Sequence, residues 1–281
     1  MQVVTISFFR YDNWASRLEA LSQMARGRYA LKTVPGLEFF KLLGTGSDEG
    51  FNPRPNVNVN AILCVWPDMA TAKAGLKGSI THRTLRDHSC EAYTIYLTPT
   101  SARGMWSGVE PLKVTEKAEP GPLAVLTRAT VKLPIALQFW KHVPQIQKEV
   151  AADPTCVFHM GMAEVPWVQQ VTFSLWKGTG TMAGFAHGET PHGHAIRAAY
   201  GDHWFKEDLY ARFKILEEEG TWEGGSPMAL LNADARPAAP APAAPPAAEK
   251  PVAEEPAAEK PAKPTKAPKK SRGPKKSKVN A

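Results

Sequence analysis

The stretch NVNAILCVWPDMATAKAGL, residues 58–76, has a second version 110 positions later, VQQVTFSLWKGTGTMAGFA, residues 168–186. In both, an alternating apolar run reaches a tryptophan, turns through polar residues and enters a helical pattern, so that Trp66 meets Trp176 and Thr71 meets Thr181. Alternation of period two marks a half-buried strand, and recurrence near 3.6 marks a helix. The correspondence extends both ways. VVTISFF (3–9) answers LAVLTRATV (123–131) as an opening strand. WASRLEALSQM, with Trp14, Leu18, Leu21 and Ala25 on one face, answers IALQFWKHVPQIQKEV, with Ile135, Phe139, Val143, Ile146 and Val150. LEFFKLLG (37–44) answers TCVFHMGM (155–162), and AYTIYLTPTSARGMWSG (92–108) answers LYARFKILEEEGTWEG (209–224), each closing on Trp-x-Gly.

Each copy reads β-α-β-β-α-β, the ferredoxin-like split unit. The fold class expected is therefore α+β: two tandem ferredoxin-like repeats, residues 1–112 and 122–225, joined by a linker at 113–121. Such a unit puts both helices on one face of its sheet and leaves the other bare, and a bare apolar face has to be covered. Two units in one chain can close their sheets together as an intrachain dimeric α+β barrel. The interior and the gaps between sheet and helix are then the expected cavities.

Residues 233–281 are a separate matter. They carry nine lysines and two arginines against one aspartate and four glutamates, which accounts for six of the seven net positive charges of the 281-residue chain. Alanine, proline and lysine dominate there, with almost nothing to bury, so the segment is expected to be disordered. Its end, KKSRGPKKSK, suits peripheral contact with an anionic membrane leaflet or with RNA; a plain solubilising extension is the alternative. The body keeps about one net charge, too balanced for a nucleic-acid surface.

Other classes drop out. The longest apolar run, Ala61 to Trp66, is far shorter than the roughly 20 residues that span a bilayer, and MQVVTISFFRYD lacks the pattern of a signal peptide. Cys64, Cys90 and Cys156 are widely spaced with no CxxC, as in a cytoplasmic protein with reduced thiols and no cysteine-held cluster. GTGSDEG (44–50) has the wrong glycine spacing for a dinucleotide loop and runs into a Pro-rich stretch. No GxSxG elbow supports acyl transfer. The long connection GTGSDEGFNPRPN (44–56), where the second copy has only AEVPW, is either a binding loop or a surface elaboration. Glu207 and Asp208 read as solvated charges opening the last strand.

The densest chemistry lies in AHGETPHGHAIR. Thr190 followed by Pro191 is a helix start, with an N-cap and then proline in the first turn. Counted at about 100° per residue, His192 falls on the apolar side with Ile196, Ala199 and His203. His194 falls opposite, with Arg197 and Gly201. A helix N-terminus favours the neutral imidazole, the form that ligates metals. Two readings stand: His192 as a hydrogen-bonded core residue or as an iron ligand. A third takes His187, Glu189 and His192 or His194 as a non-haem iron set.

GFNPRPN (50–56), VWPDMATA (65–72), LTPTSARGMWSG (97–108), LTRATV (126–131), QVTFSLW (170–176), PHGHAIRA (191–198) and WFKEDLYARF (204–213) together resemble the spheroidene monooxygenase family, in register over residues 1–225. The resemblance implies a haem-dependent oxygenase that inserts O2-derived oxygen at carbon 2 of acyclic carotenoids, twice at one carbon so that loss of water leaves a ketone. Electrons are expected from reduced ferredoxin. The chlorite dismutases, haem proteins on paired ferredoxin-like units, look similar in architecture and take their proximal histidine from a helix of the second unit. On that resemblance Pro191, His192, Ala195, Ile196 and Arg197 match a Pro-His-x-x-Ala-Ile-Arg pattern, with His192 as axial ligand. Arg54, Arg103 and Arg197 are candidates for the haem propionates or the distal oxygen, with salt bridges as the plainer alternative. Trp66, Trp106, Trp176 and Trp222 are expected in the core. The chain departs from the pattern at WKG, where a second Trp-Pro-Asp is expected, and at AEVP, where Gly-Glu-Val-Pro is expected.

Overall fold

A computed structural model describes residues 1–47, 52–180 and 204–231. In the first half β1 (Val3–Arg10), α1 (Trp14–Leu31), β2 (Phe39–Ser47), β3 (Asn52–Trp66), α2 (Met69–Gly78), α3 (Ile80–His88) and β4 (Glu91–Gly104) follow in order. The second half runs β5 (Leu123–Val131), a 3-10 turn at Leu133–Ile135, α4 (Ala136–Ala152), β6 (Cys156–Val165), β7 (Gln169–Trp176), β8 (Phe205–Gly220) and the short α5 (Pro227–Leu231). The eight strands close into one antiparallel barrel in the order β1-β3-β2-β6-β7-β5-β8-β4. Each half contributes the ferredoxin-like arrangement, β4-β1-β3-β2 and β8-β5-β7-β6, as the tandem pattern predicts. The proposed disordered tail lies outside the described residues.

Matching registers relate the halves position by position. Val3 pairs with Trp66 as Leu123 pairs with Trp176, and Arg10 pairs with Glu91 as Thr130 pairs with Glu207. Two seams join them. The β4–β8 seam is long, from Tyr93–Gly220 to Gly104–Leu209, whereas β2–β6 pairs only at Gly44–Ala163 and Thr45–Met162. The long seam is locked reciprocally. Each half ends in a Trp-x-Gly hairpin with positive φ at both central residues, 58° and 76° at Ser107 and Gly108, 57° and 73° at Glu223 and Gly224. This is the signature of a type I′ turn. The glutamate that opens the other half's last strand accepts the turn's N–H groups: Glu207 from Ser107 (2.9 Å) and Gly108 (2.7 Å), Glu91 from Gly224 (2.8 Å). Gly104 and Gly220, equivalent across the halves, have φ of 93° and 84°. A Cβ there would strike the carbonyls of Asp208 and Ala92 at 2.2 and 2.1 Å, so only glycine lets the strands approach.

Side chains alternate across the sheet. Val4, Ile6 and Phe8 of β1 point inward with Ala61, Leu63 and Val65 of β3, and Phe158, Phe173, Trp106 and Trp222 join the same cluster. Phe8 lies 5.3 Å from Phe158 and 5.9 Å from Trp222, ring centre to ring centre. An eight-stranded barrel is just wide enough for side chains to fill, and this one is filled. The centre of the interior is therefore core, and the space that remains is an opening of about 290 Å³ at the Arg10 end, lined by Val59, Val157, Phe158, Met160 and Trp222 of that cluster. All four tryptophans assigned to the core are buried.

One inward position breaks the symmetry. Where the first half has Phe8 the second has Arg128, whose side chain is 1% exposed. It pairs with Glu207, has Glu164 at 4.0 Å and lies over the Trp106 ring at 5.9 Å. Trp106 Nε1 and Lys41 Nζ both donate to Glu164. Glu207 is thus an interior anchor and not the solvated charge its sequence position suggests. Burial works to raise its pKa, but the Gly108 and Ser107 N–H groups and the Arg128 guanidinium outweigh it and hold the carboxyl below the ordinary range.

Glu207→Gln leaves Arg128 charged and buried. The expected loss is about 2–3 kcal/mol at neutral pH, below the full figure for an isolated buried pair because Glu164 remains near. Because the folded pKa is depressed, wild-type stability from this group is present above the unfolded carboxyl's 4.5 and is lost as pH falls through the lower folded value. Urea denaturation across pH should show the gap between variant and wild type closing below that point.

Candidate functional site

The two sheets turn different outer faces toward their helical layers. In the first half two registered rows, Leu42–Ile62–Ser7–Thr94 and Phe40–Cys64–Thr5–Tyr96, lie under α1, α2 and α3. Phe9, Ile62, Cys64 and Tyr96 pack with Ala20, Leu76 and Leu85 of those helices. His82 of α3 adds a polar plug: its Nε2 meets Ser7 Oγ at 2.8 Å, Ser7 meets Thr94 at 2.8 Å, and the ring stands edge-on to Phe9 at 5.2 Å. Burial first, then the Arg86 charge, pulls the His82 pKa down to about 4, so the plug is a neutral imidazole. This floor is filled.

The equivalent rows of the second half read Gly161–Thr172–Thr127–Tyr210 and His159–Ser174–Val125–Arg212. Leu42 has become Gly161, Ile62 Thr172, Phe40 His159 and Tyr96 Arg212; beside them Phe9 has become Ala129. Five large side chains are thus replaced by glycine, alanine, threonine, histidine and arginine, while Thr94 and Thr5 of the first floor become Tyr210 and Val125. Thr127 is exposed on this floor, while His159 is 6% exposed. Arg212 Nε donates to Tyr210 Oη (3.0 Å), and the Arg212 and Arg103 guanidiniums lie 5.6 and 5.7 Å from the Tyr210 ring. The apolar remnant Leu123, Val125, Cys156 and Trp176 gathers at the end near Val150 of α4.

At its other end the floor meets a groove of about 230 Å³ between α1, α4 and the β2–β3 and β6–β7 hairpins. Leu21, Met24, Val57, Trp140, Met162 and Trp167 make it apolar, and Ala163 and Gln170 are shared with the floor's last row. Trp140 donates from Nε1 to the Trp167 carbonyl at 3.1 Å, with the rings 5.7 Å apart.

Arg103, expected at the site, sits at the rim of this floor through its pairing with Tyr210. Arg54 is exposed on β3 beside the β2–β3 hairpin, where Ser47 Oγ donates to its carbonyl at 3.2 Å. It lies toward the Arg10 end of β1 and Arg103 beyond the Val3 end, so the barrel separates the two. His192 and Arg197, with His187, Glu189, His194 and His203, lie in residues 181–203, outside the described residues. That segment connects β7 to β8, two strands of the second floor. Among the described residues no group of three or more His, Cys, Asp or Glu side chains gathers to hold a metal ion. His159, Tyr210 and Arg212 escape the sequence reading. The signal available for them is the change of residue type between equivalent positions of the two copies.

The fold is that of the dimeric α+β-barrel class. Two solved aldoxime dehydratases share it, one at TM-score 0.53 and 10% identity over 77% of this chain and 82% of theirs, the other, in complex with butyraldoxime, at 0.54 and 8% over 82% and 85%. No protein-family model matches the chain. Its sequence relatives do: it is 44% identical to spheroidene monooxygenase of Cereibacter sphaeroides over 81% of this chain and 71% of that protein. It is 42% identical to the Rhodobacter capsulatus protein of that name over 82% and 96%, and 33% identical to that of Rubrivivax gelatinosus over 75% and 81%. The chain belongs to the spheroidene monooxygenase family.

Ala129→Phe restores to the second floor the ring that the first floor carries as Phe9. The variant should fold, with near-ultraviolet circular dichroism unchanged, and lose at least about tenfold in turnover by occlusion. Full turnover would show that the chemistry is elsewhere.

Proposed function

We propose that this protein is a haem-dependent monooxygenase that oxidises acyclic carotenoids at carbon 2, converting spheroidene to spheroidenone with O2 and electrons from reduced ferredoxin. The observation that carries the reading is the family membership spanning the whole barrel, coupled with an outer floor on which Phe9, Phe40, Leu42, Ile62 and Tyr96 of the first half give way to Ala129, His159, Gly161, Thr172 and Arg212. The floor suits a flat macrocycle. Thr127, Thr172, Ala129 and Gly161 leave room above the sheet, and Arg103 and Arg212 stand at one side, where planar guanidiniums pair with carboxylates such as propionates. His192 would supply a nitrogen ligand to the iron and Arg197 a further cation. Haem would supply activation of O2 for insertion into an unactivated C–H bond.

The remaining work falls to the chain. The apolar groove admits a hydrocarbon, and at about 230 Å³ it takes one end of a long polyene and not its whole length. Terminal oxidation requires no more than that. Trp140 and Trp167 flank the rod, and the Tyr210 hydroxyl and Arg212 offer polar hydrogens at the floor for proton delivery. Each insertion consumes one O2, two electrons and two protons and releases one water. The second insertion at the same carbon gives a geminal diol that loses water to the ketone. Among the described residues no helix is long and apolar enough to cross a membrane.

The test is direct. Reconstitution of the purified chain with haemin should give a stoichiometric Soret band that His192→Ala abolishes or shifts. With ferredoxin, its reductase and O2, spheroidene should gain one oxygen and lose two hydrogens. Absence of the Soret band removes haem from the reading. Bound but unaltered carotenoid would make the barrel a carrier.

A further inference from the structure

The apolar stripe of α1 faces away from the protein. Its buried side is small or polar until its last residue, Ser16, Ala20, Gln23 and Gly27 and then Leu31, and at Gly27 a Cβ would come within 2.7 Å of Thr81 of α3. Close helix–helix packing therefore uses the residues without bulk. Trp14, Leu18 and Leu21, spaced i, i+4 and i+7, are 63%, 51% and 48% exposed. On the other side of the groove Leu133 and Leu137 are each 73% exposed and Val165 and Trp167 48% and 43%, with Trp167 against Trp140, three residues on from Leu137, at 5.7 Å. An exposed, contiguous apolar face of this kind marks an interaction surface.

Charge identifies the partner. Residues 14–32 hold Arg17, Arg26, Arg28 and Lys32 against Glu19, and residues 132–149 hold Lys132, Lys141 and Lys148 against Glu149. These two segments together carry five net positive charges where the whole body, residues 1–232, carries about one. The rest of the body is thus net negative, and the positive charge is concentrated on the two segments that expose Trp14, Leu18 and Leu21 and Leu133 and Leu137. Leucines and a tryptophan along one helix face, flanked by arginine and lysine, form the pattern of a helix lying in the headgroup layer of a membrane. A second copy of the chain would bring the same positive face against itself. We propose that the face formed by α1, α4 and the β6–β7 hairpin docks this protein on an anionic lipid bilayer, with Trp14 and Leu18 entering the headgroup–acyl boundary. The groove opens between the two apolar stripes and so faces the lipid. The docking does not depend on which oxidation the protein performs.

The full-length chain and Trp14→Ser/Leu18→Ser are compared by co-sedimentation with vesicles of phosphatidylcholine alone and of phosphatidylcholine with phosphatidylglycerol. The wild type should partition onto the anionic vesicles and retain part of that binding when salt screens the charges. The double variant should lose at least about tenfold in partition coefficient, with its thermal midpoint unchanged because both residues are solvent-facing. Acyl-brominated lipid should quench a component of tryptophan emission that Trp14→Phe removes. The proposal is overturned if the double variant partitions like wild type, which would leave the basic tail as the whole attachment. It is equally overturned if the wild type sediments as a dimer that the double variant dissociates, which would assign the face to a second copy. Turnover of detergent-dispersed carotenoid by the double variant, expected to be unchanged, separates failure of docking from failure of the oxygenase reading.

Discussion

A ferredoxin-like sheet covers one face with its own helices and leaves the other uncovered, and in this protein the uncovered faces of two such sheets are each other's cover. The arrangement depends on the β4–β8 seam. There the glutamates that open the two last strands reach across and take the N–H groups of the opposite half's Trp-x-Gly turn. The contact is symmetric in pattern, Glu91 pairing with Arg10 and Glu207 with Arg128, but weighted to one side because Arg128 is buried and Arg10 is not. Closure fills the interior with Phe8, Phe158, Phe173 and the two turn tryptophans, and that filling excludes the barrel centre as a binding site. The spaces left are an opening at the Arg10 end of the barrel and the groove between sheet and helices.

The outer faces of the two halves differ. The first carries aromatic and branched side chains, sealed by a histidine that burial keeps neutral. The second has the same backbone with glycine, alanine and threonine in their place, and cations along one side. On the proposed reading one copy serves as scaffold and the other is opened. This division of labour is available to a fused pair and not to a dimer of identical chains, in which both floors would be alike.

The sequence displayed the repeat, the order of strands and the closing tryptophans because alternation and turn residues are local signals, repeated twice. It did not display the floor. Comparing LEFFKLLG with TCVFHMGM letter by letter sets Phe40 against Phe158. In the structure an irregularity between Cys156 and Phe158 moves the register by one, and Phe40 corresponds to His159. A one-residue shift turns every later side chain to the opposite face, so the loss of bulk at that position is invisible until pairing is known. Glu207 is a similar case: its partners, Arg128 and the turn at Ser107, lie 79 and 100 residues away. The α1 stripe shows the opposite failing, since periodicity revealed the face but not whether the protein or the surroundings would cover it. His192 and Arg197 remain known from their pattern alone.

The seams that complete this barrel join parts of a single chain. Two separate halves would have to find each other, so their union would weaken on dilution and their thermal transition would move with concentration. Here the partner half is always tethered at hand. The barrel can therefore persist when only a few molecules are present.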